Sequence, residues 1–230
     1  MRKSVAREYY EAILVAFILA LFVRTFVFEN FKIPSGSMED NLLIGDHLVV
    51  NKFIFAGNHG TFLHRLLPYR SPRRGDVVVF KFPEDPRRDF IKRCVAVAGD
   101  TVEIRGKELY INGELQIEPM VVHKDPRTFD DSPLIPASNR IRDNFGPMTV
   151  PEGTIFCLGD NRDNSLDSRF WGPVPLTYVK GRAVLIYWSY ETARDDWQWQ
   201  GFGHRLKQLA GVVVNFFTKT RWEREFRLIR

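Results

Sequence analysis

The chain has 230 residues, 44% of them hydrophobic and 27% charged, with a formal net charge of +5. That balance allows one substantial core with a smaller satellite and excludes a disordered or low-complexity chain. Basic residues are scattered among acids without a stripe, which argues against a nucleic-acid partner; the excess near the ends (Arg2, Lys3, Arg7 and Arg221 to Arg230) reads as attraction to anionic lipid headgroups.

From Ala12 to Phe28 every residue is apolar except Arg24 and Thr25. A helix there is about 25 Å long, slightly under the roughly 30 Å hydrocarbon core, with Tyr9 and Tyr10 placed for an aromatic belt. Arg2, Lys3 and Arg7 on the near flank predict a cytoplasmic N-terminus. The large side chains from Arg24 to Phe31 do not resemble the small-residue end of a cleavable leader, so the segment reads as an uncleaved anchor.

Beyond Asn30 the chain reads as short strands between Gly/Asp/Pro turns. They run His47–Phe53, Val77–Phe82, Phe90–Val97, Thr101–Ile104, Glu108–Ile111 before Asn112-Gly113, Ile155–Leu158 and Ala183–Trp188. No strand–helix alternation interrupts them, which predicts a mainly β, barrel-like fold. Gly57 to Arg73 and Lys124 to Met148 read as insertions, the second as an irregular surface excursion within a smaller domain. Near the C-terminus Leu206, Leu209, Ala210, Val213, Phe216 and Phe217 share a helical face, which suits either packing on the core or, beside Trp197 and Trp199, an interfacial helix. Cys94 and Cys157 are too few for a disulfide scaffold or a cysteine-rich zinc site; they read as two buried thiols, with a disulfide between them as the alternative if their strands are adjacent and the compartment oxidises.

Three segments can carry chemistry. In Ile33-Pro34-Ser35-Gly36-Ser37-Met38 a stiff residue precedes a flexible one, a turn that can expose both the hydroxyl and the amide of Ser37. The serine needs a base, and none of His47, His59, His64, His123 and His204 lies in a spacing that singles it out. Lysine is the other option, because burial lowers its pKa and leaves a neutral amine. Lys92 sits in an apolar strand pattern that puts it on one face with Phe90 and Cys94. The third segment, Gly159 to Gly172, is dense in Asp, Asn, Ser and Arg, which build turns from their own hydrogen bonds and pin them with Asp–Arg pairs such as Asp167 with Arg169. It lacks the spacing of a calcium loop.

Taken in order, Ile-Pro-Ser-Gly-Ser-Met at 33–38, Arg-Gly-Asp-Val-Val-Val-Phe at 74–80, Phe-Ile-Lys-Arg at 90–93 and Gly-Asp-Asn-Arg-Asp-Asn-Ser at 159–165 with Asp-Ser-Arg at 167–169 strongly resemble the bacterial type I signal peptidases. The resemblance implies a membrane-bound serine endopeptidase that removes signal peptides from exported preproteins after Ala-x-Ala-like sites. Ser37 is then the nucleophile and Lys92 the general base, with the Ser37 amide and Ser35 hydroxyl as oxyanion hole and Ser165 orienting the Lys92 amine. Asp160, Asn164, Asp167 and Arg169 would structure the loop, and Ile33, Pro34, Met38, Leu42, Phe90 and Ile91 would line shallow substrate pockets. No metal or cofactor is implied, and the partners are signal peptides and the bilayer, with the chain a monomer in the cytoplasmic membrane.

The implied organisation is a cytoplasmic N-terminus at 1–11, a transmembrane anchor at 12–28, a catalytic β domain at 30–101 and 152–190, a smaller inserted domain at 102–151, and a C-terminal helix and basic tail at 191–230. One departure is Asp40-Asn41-Leu42, where the family usually has Pro-Thr-Leu. Carboxylates near Lys92 would favour its charged form, so Glu39 and Asp40 are expected to face solvent, capping a short helical turn. A dedicated pilus-assembly or conjugation peptidase with the same dyad is the alternative function. An inactive binding module is disfavoured by the intact Ser37, Lys92 and Ser165.

Overall fold

The computed structural model describes residues 4–55, 69–192 and 211–229. The expectations resting on residues 57–68, on His59, His64 and His204, and on Trp197, Trp199, Leu206, Leu209 and Ala210 lie outside the described residues.

Helix α1 spans Val5–Phe22 and continues in wider turns through Val23–Val27. At about 1.5 Å per residue this rod is roughly 35 Å long. Its apolar side chains point outward all round: Ile13, Val15, Phe17, Ile18, Leu19 and Phe22 are all more than half exposed. Residues Arg7–Val27 form, among the described residues, the one helix long and apolar enough to cross a membrane. The rod starts earlier than the apolar run and ends before Phe28. Strand β1, Phe28–Lys32, begins there because its backbone pairs antiparallel with β2, Asp46–Asn51, from Phe28↔Asn51 to Lys32↔His47.

The main sheet is a curled half-barrel. Its further strands are β3 (Val77–Lys81), β4 (Asp89–Val97), β9 (Thr154–Leu158), β10 (Val174–Pro175) and β11 (Val179–Ser189), in the order β1-β2-β11-β3-β4-β9-β10, with β12 (Arg227–Leu228) added beside β11. One side of this sheet packs Ile33, Met38, Leu42, Leu48, Val50, Val79, Ala183 and Ile186; the other packs Phe55, Val78, Phe80, Cys94, Cys157 and Val179. Both faces are covered over the central strands, so β3, β4 and β9 carry continuous buried runs, whereas burial alternates along β2 and the first half of β11.

A second sheet, ordered β7-β6-β5-β8, comprises β5 (Thr101–Arg105), β6 (Glu108–Ile111), β7 (Glu114–Leu115) and β8 (Phe145–Thr149). Asn112 and Gly113 both take positive φ between β6 and β7, the backbone that a two-residue hairpin requires. The expectation of an irregular stretch from Lys124 to Met148 is corrected in part: helix α2, Ala137–Asp143, and most of β8 lie within it. Strand β8 contains Gly146 and Pro147 and owes its form to pairing with β5, a partner more than 40 residues away.

The C-terminal residues also depart from expectation. Arg224 is 7% exposed and its guanidinium lies 2.7 Å from the fully buried Asp46, while Arg221 is 3.9 Å from the same carboxylate. Ile229 joins the core with Ile33, Met38 and Leu42. A buried ion pair thus commits Arg224 to the core, whereas Arg221 keeps partial exposure. A short helix, Phe216–Lys219, precedes them, with Val213 and Phe217 exposed.

Candidate active site

Ser37 lies in a single 3-10 turn, Gly36–Met38. The turn is held on both sides: Gly45 N–H donates to the Ile33 carbonyl (3.0 Å), Ile33 N–H to the Asp46 carbonyl (2.9 Å) and Leu42 N–H to the Met38 carbonyl (2.8 Å). Ile33, Met38 and Leu42 anchor it by burying their side chains in the core, which leaves Ser37 at the surface of that core with 8% exposure.

Lys92 stands in the middle of β4, opposite Val78 of β3, with 3% exposure. Its Nζ lies 2.5 Å from Ser37 Oγ and 5.5 Å from the centre of the Phe90 ring. Burial drives its pKa down from 10.5 to about 8, against the opposing pull of Asp167, Cys157 and Asp160. The charged form loses more by leaving water than it recovers from carboxylates already committed to arginines.

Those carboxylates belong to the loop after β9. Both Asp160 oxygens accept from Arg93, at 2.7 Å each, and one also accepts from Asn41 Nδ2 at 2.6 Å. Asp167 forms a two-pronged pair with Arg169, at 2.8 Å on each prong, and accepts from the Gly159 N–H at 3.1 Å. Burial alone would push the Asp167 pKa up, but the Arg169 charge and these donors hold it below the usual carboxylate range. Arg169 also donates to the Arg142 and Arg162 carbonyls. The loop is thereby tied by ion pairs whose members are almost fully desolvated.

Several expected residues stand elsewhere. Ser165 is buried beside Asp167, whose carboxylate its hydroxyl supports, and among the described residues no hydrogen bond joins it to Lys92. Asn164 is exposed in the 3-10 turn Arg162–Asn164, and among the described residues its side chain makes no hydrogen bond that ties the loop down. Ile33, Met38 and Leu42 are core residues packed with Ile186 and Val50, and Leu42 also borders a surface cavity with Asn41, Met120 and Ile186. Pro34 and Ser35 are exposed. Phe90 stacks on Phe82 (4.4 Å) and meets Trp171 edge-on, whereas Ile91 packs with the Ile33 cluster on the other side. Cys94 and Cys157 are free and buried, directly opposite in register across β4 and β9.

Glu39 closes the Gly36–Met38 turn with its backbone, its N–H donating to the Gly36 carbonyl at 3.2 Å, whereas Asp40 lies beyond the turn. Both carboxylates lie 3.1 Å from Lys124 Nζ; Asp40 is exposed as expected, whereas the Glu39 side chain is only 17% exposed. The pairing arises because residues 118–125 run back past the turn, which the sequence does not reveal.

Three residues with no assigned role prove central to the geometry. Asn161 donates from its backbone to the Ser37 carbonyl and from its side chain to the Gly36 carbonyl, each at 3.1 Å. Arg93 and Asn41 complete the Asp160 cluster. The composition of the 159–172 loop signalled Asn161, but nothing local marks Asn41.

A family profile described as "Signal peptidase, peptidase S26" matches residues 6–188. The chain is 36% identical to Signal peptidase I of Pseudomonas aeruginosa over 207 residues, covering 80% of this chain and 72% of that one. It is 32% identical to Signal peptidase I of Aquifex aeolicus, covering 82% and 85%. A crystal structure of a signal peptidase I from Enterococcus faecalis aligns at 33% identity over 49% of this chain and 97% of that one, with a TM-score of 0.37. A profile match across most of the chain, together with this identity over four-fifths of it, means that the protein belongs to the signal peptidase, peptidase S26, family of serine endopeptidases.

Proposed function

We propose that the chain is a membrane-anchored signal peptidase in which Ser37 attacks the scissile carbonyl and Lys92 is the general base. The observation that carries this reading is the 2.5 Å approach of a buried lysine amine to the serine hydroxyl. With the amine neutral, the hydroxyl donates its proton to Nζ as Oγ bonds to the carbonyl carbon. The oxyanion of the tetrahedral intermediate meets the Ser37 N–H and the Ser35 hydroxyl. Lys92 then returns the proton to the leaving amine, an acyl-serine remains, and water activated by the same amine releases the signal peptide.

Asn161 supports the oxyanion role. The Gly36 carbonyl and Ser37 N–H belong to one peptide plane and point in opposite directions. A side chain holding the carbonyl therefore aims the N–H. Phe90 keeps partial exposure beside Lys92 and offers only a shallow apolar wall, which favours small side chains before the cut. The exposed apolar rod of α1 favours a single span, and Arg7 at its start favours a cytoplasmic N-terminus with the catalytic sheet on the far side.

The test is cleavage of an exported precursor with an Ala-x-Ala site, in detergent, by wild type, Ser37→Ala and Lys92→Met. Activity is expected to vanish in both variants while their circular dichroism stays native. Cleavage by either folded variant would refute the dyad.

A further inference from the structure

The nucleophile loop is gripped from the back by residues beyond the stretch that the family profile matches. Arg224 lies in the C-terminal tail, and three hydrogen bonds from its buried guanidinium all go to the stretch from Asn41 to Asp46, the first residue of β2. Nη2 donates to the Asn41 carbonyl and to Asp46 Oδ2, each at 2.7 Å, and Nε donates to Asp46 Oδ1 at 3.3 Å. Asp46 is fully buried and also accepts from Ser189 Oγ (2.6 Å) and the Leu43 N–H (2.8 Å). On its other side, the Asn41 side chain donates to Asp160, whose two oxygens hold Arg93, the residue following Lys92 in β4. The residue after Asp160, Asn161, holds Gly36 and Ser37.

We infer that Arg224 and Asn41 are positioning residues for the reaction: together they press the loop carrying Ser37 against the Asp160–Arg93 pair and so set the gap between Ser37 Oγ and Lys92 Nζ. The inference rests on the Ser37–Lys92 reading proposed above. A guanidinium that spans a carboxylate and a carbonyl fixes direction as well as distance, which an apolar side chain of equal volume does not.

Loosening the grip has a readout that ordinary destabilisation lacks. The groups around Lys92 are Ser37 from the nucleophile turn, Asp160, Asp167 and Arg169 from the 159–169 loop, Cys157 from β9, and Phe90 from β4 itself. If the loop lifts, Ser37 withdraws, water reaches the amine, and the pKa lowered by burial moves back toward 10.5. The acid limb of the rate profile then shifts to higher pH.

The experiment uses the full-length chain in detergent, with an exported precursor as substrate. Cleavage by wild type, Arg224→Met, Arg224→Lys, Asn41→Ala and the Arg224→Met/Asn41→Ala double variant is followed from about pH 6 to 10, with thermal unfolding in parallel. The expected result for Arg224→Met and Asn41→Ala is a kcat lower by about tenfold at neutral pH, a KM within about twofold of wild type, and an acid limb about half a unit or more higher. Arg224→Lys, which keeps the charge but cannot fork, should lie between wild type and Arg224→Met. The double variant should be no worse than the poorer single one, because both act on one contact.

An unmoved limb, with activity falling only as folded protein is lost, would overturn the inference. Should Arg224→Met fail to fold, Arg224→Lys and Asn41→Ala decide by the same limb. If wild type itself lacks a limb near pH 8, or Lys92→Met cleaves, the dyad reading has failed instead.

Discussion

An alanine at position 159 would bring its Cβ 2.5 Å from the Ser37 carbonyl oxygen, 2.2 Å from Ser165 Oγ and 2.6 Å from Ser165 Cβ. Ordinary contacts at carbon are about 3.5 Å, so roughly 1 Å of movement is needed on one side or the other. Gly159 is not in the left-handed region, so Gly159→Ala adds no backbone strain and the effect is steric alone. The Ser165 side chain can turn aside, but the Ser37 carbonyl is backbone, held by Asn161, and yields only if the nucleophile turn moves. Overpacking of this kind costs about 1–3 kcal/mol, and a 1 Å displacement of a reacting group can cost about 100-fold in rate. Gly159→Ala should therefore unfold several degrees lower and cleave precursor about 100-fold more slowly, chiefly through kcat. Adding Ser165→Gly removes two of the three clashes and should restore thermal stability more than activity, because the contact with Ser37 remains. Precursor cleavage under saturating conditions, read beside differential scanning calorimetry, separates the two effects. Wild-type kcat in Gly159→Ala would show that the loops do not approach this closely.

Three other outcomes follow from the same geometry. With a Lys92 pKa of about 8, cleavage should rise with pH through that value, only about one chain in ten being active at pH 7. The unfolded lysine keeps its proton to 10.5, so the unfolded chain binds more protons between about 8 and 10.5 and stability rises across that window. Below it the buried ammonium costs roughly 3 kcal/mol, so Lys92→Met should be inactive yet more stable at pH 7, and calorimetry at the two pH values checks the sign. Asp160→Asn removes the fully buried carboxylate that Arg93 grips at 2.7 Å and should lose about 3–5 kcal/mol in urea unfolding, far more than any surface ion pair. Glu39→Gln with Asp40→Asn should leave the pH–rate profile in place, because both carboxylates are turned toward Lys124; a displacement toward acid would show that they reach Lys92.

Much of this molecule is written in local pattern. The apolar rod, the strands β2 to β6, β9 and most of β11, and the turns at Gly45, Gly75, Gly99 and Asn112-Gly113 follow from hydropathy runs and backbone preference, which act over a few residues. Spacing alone likewise placed Lys92, Phe90 and Cys94 on one face of a strand. What local pattern cannot hold is a partner distant in sequence. Strand β8 exists because β5 offers it hydrogen bonds, and the tail's arginines turn inward because Asp46 would otherwise be a buried, unpaired charge. The same holds at the site. Ser37 and Lys92 are 55 residues apart, and Asn41 reaches Asp160 across 119. Only the closing of the sheet brings such groups within 3 Å, and burial, a property of the whole fold, is what lowers the pKa of the amine.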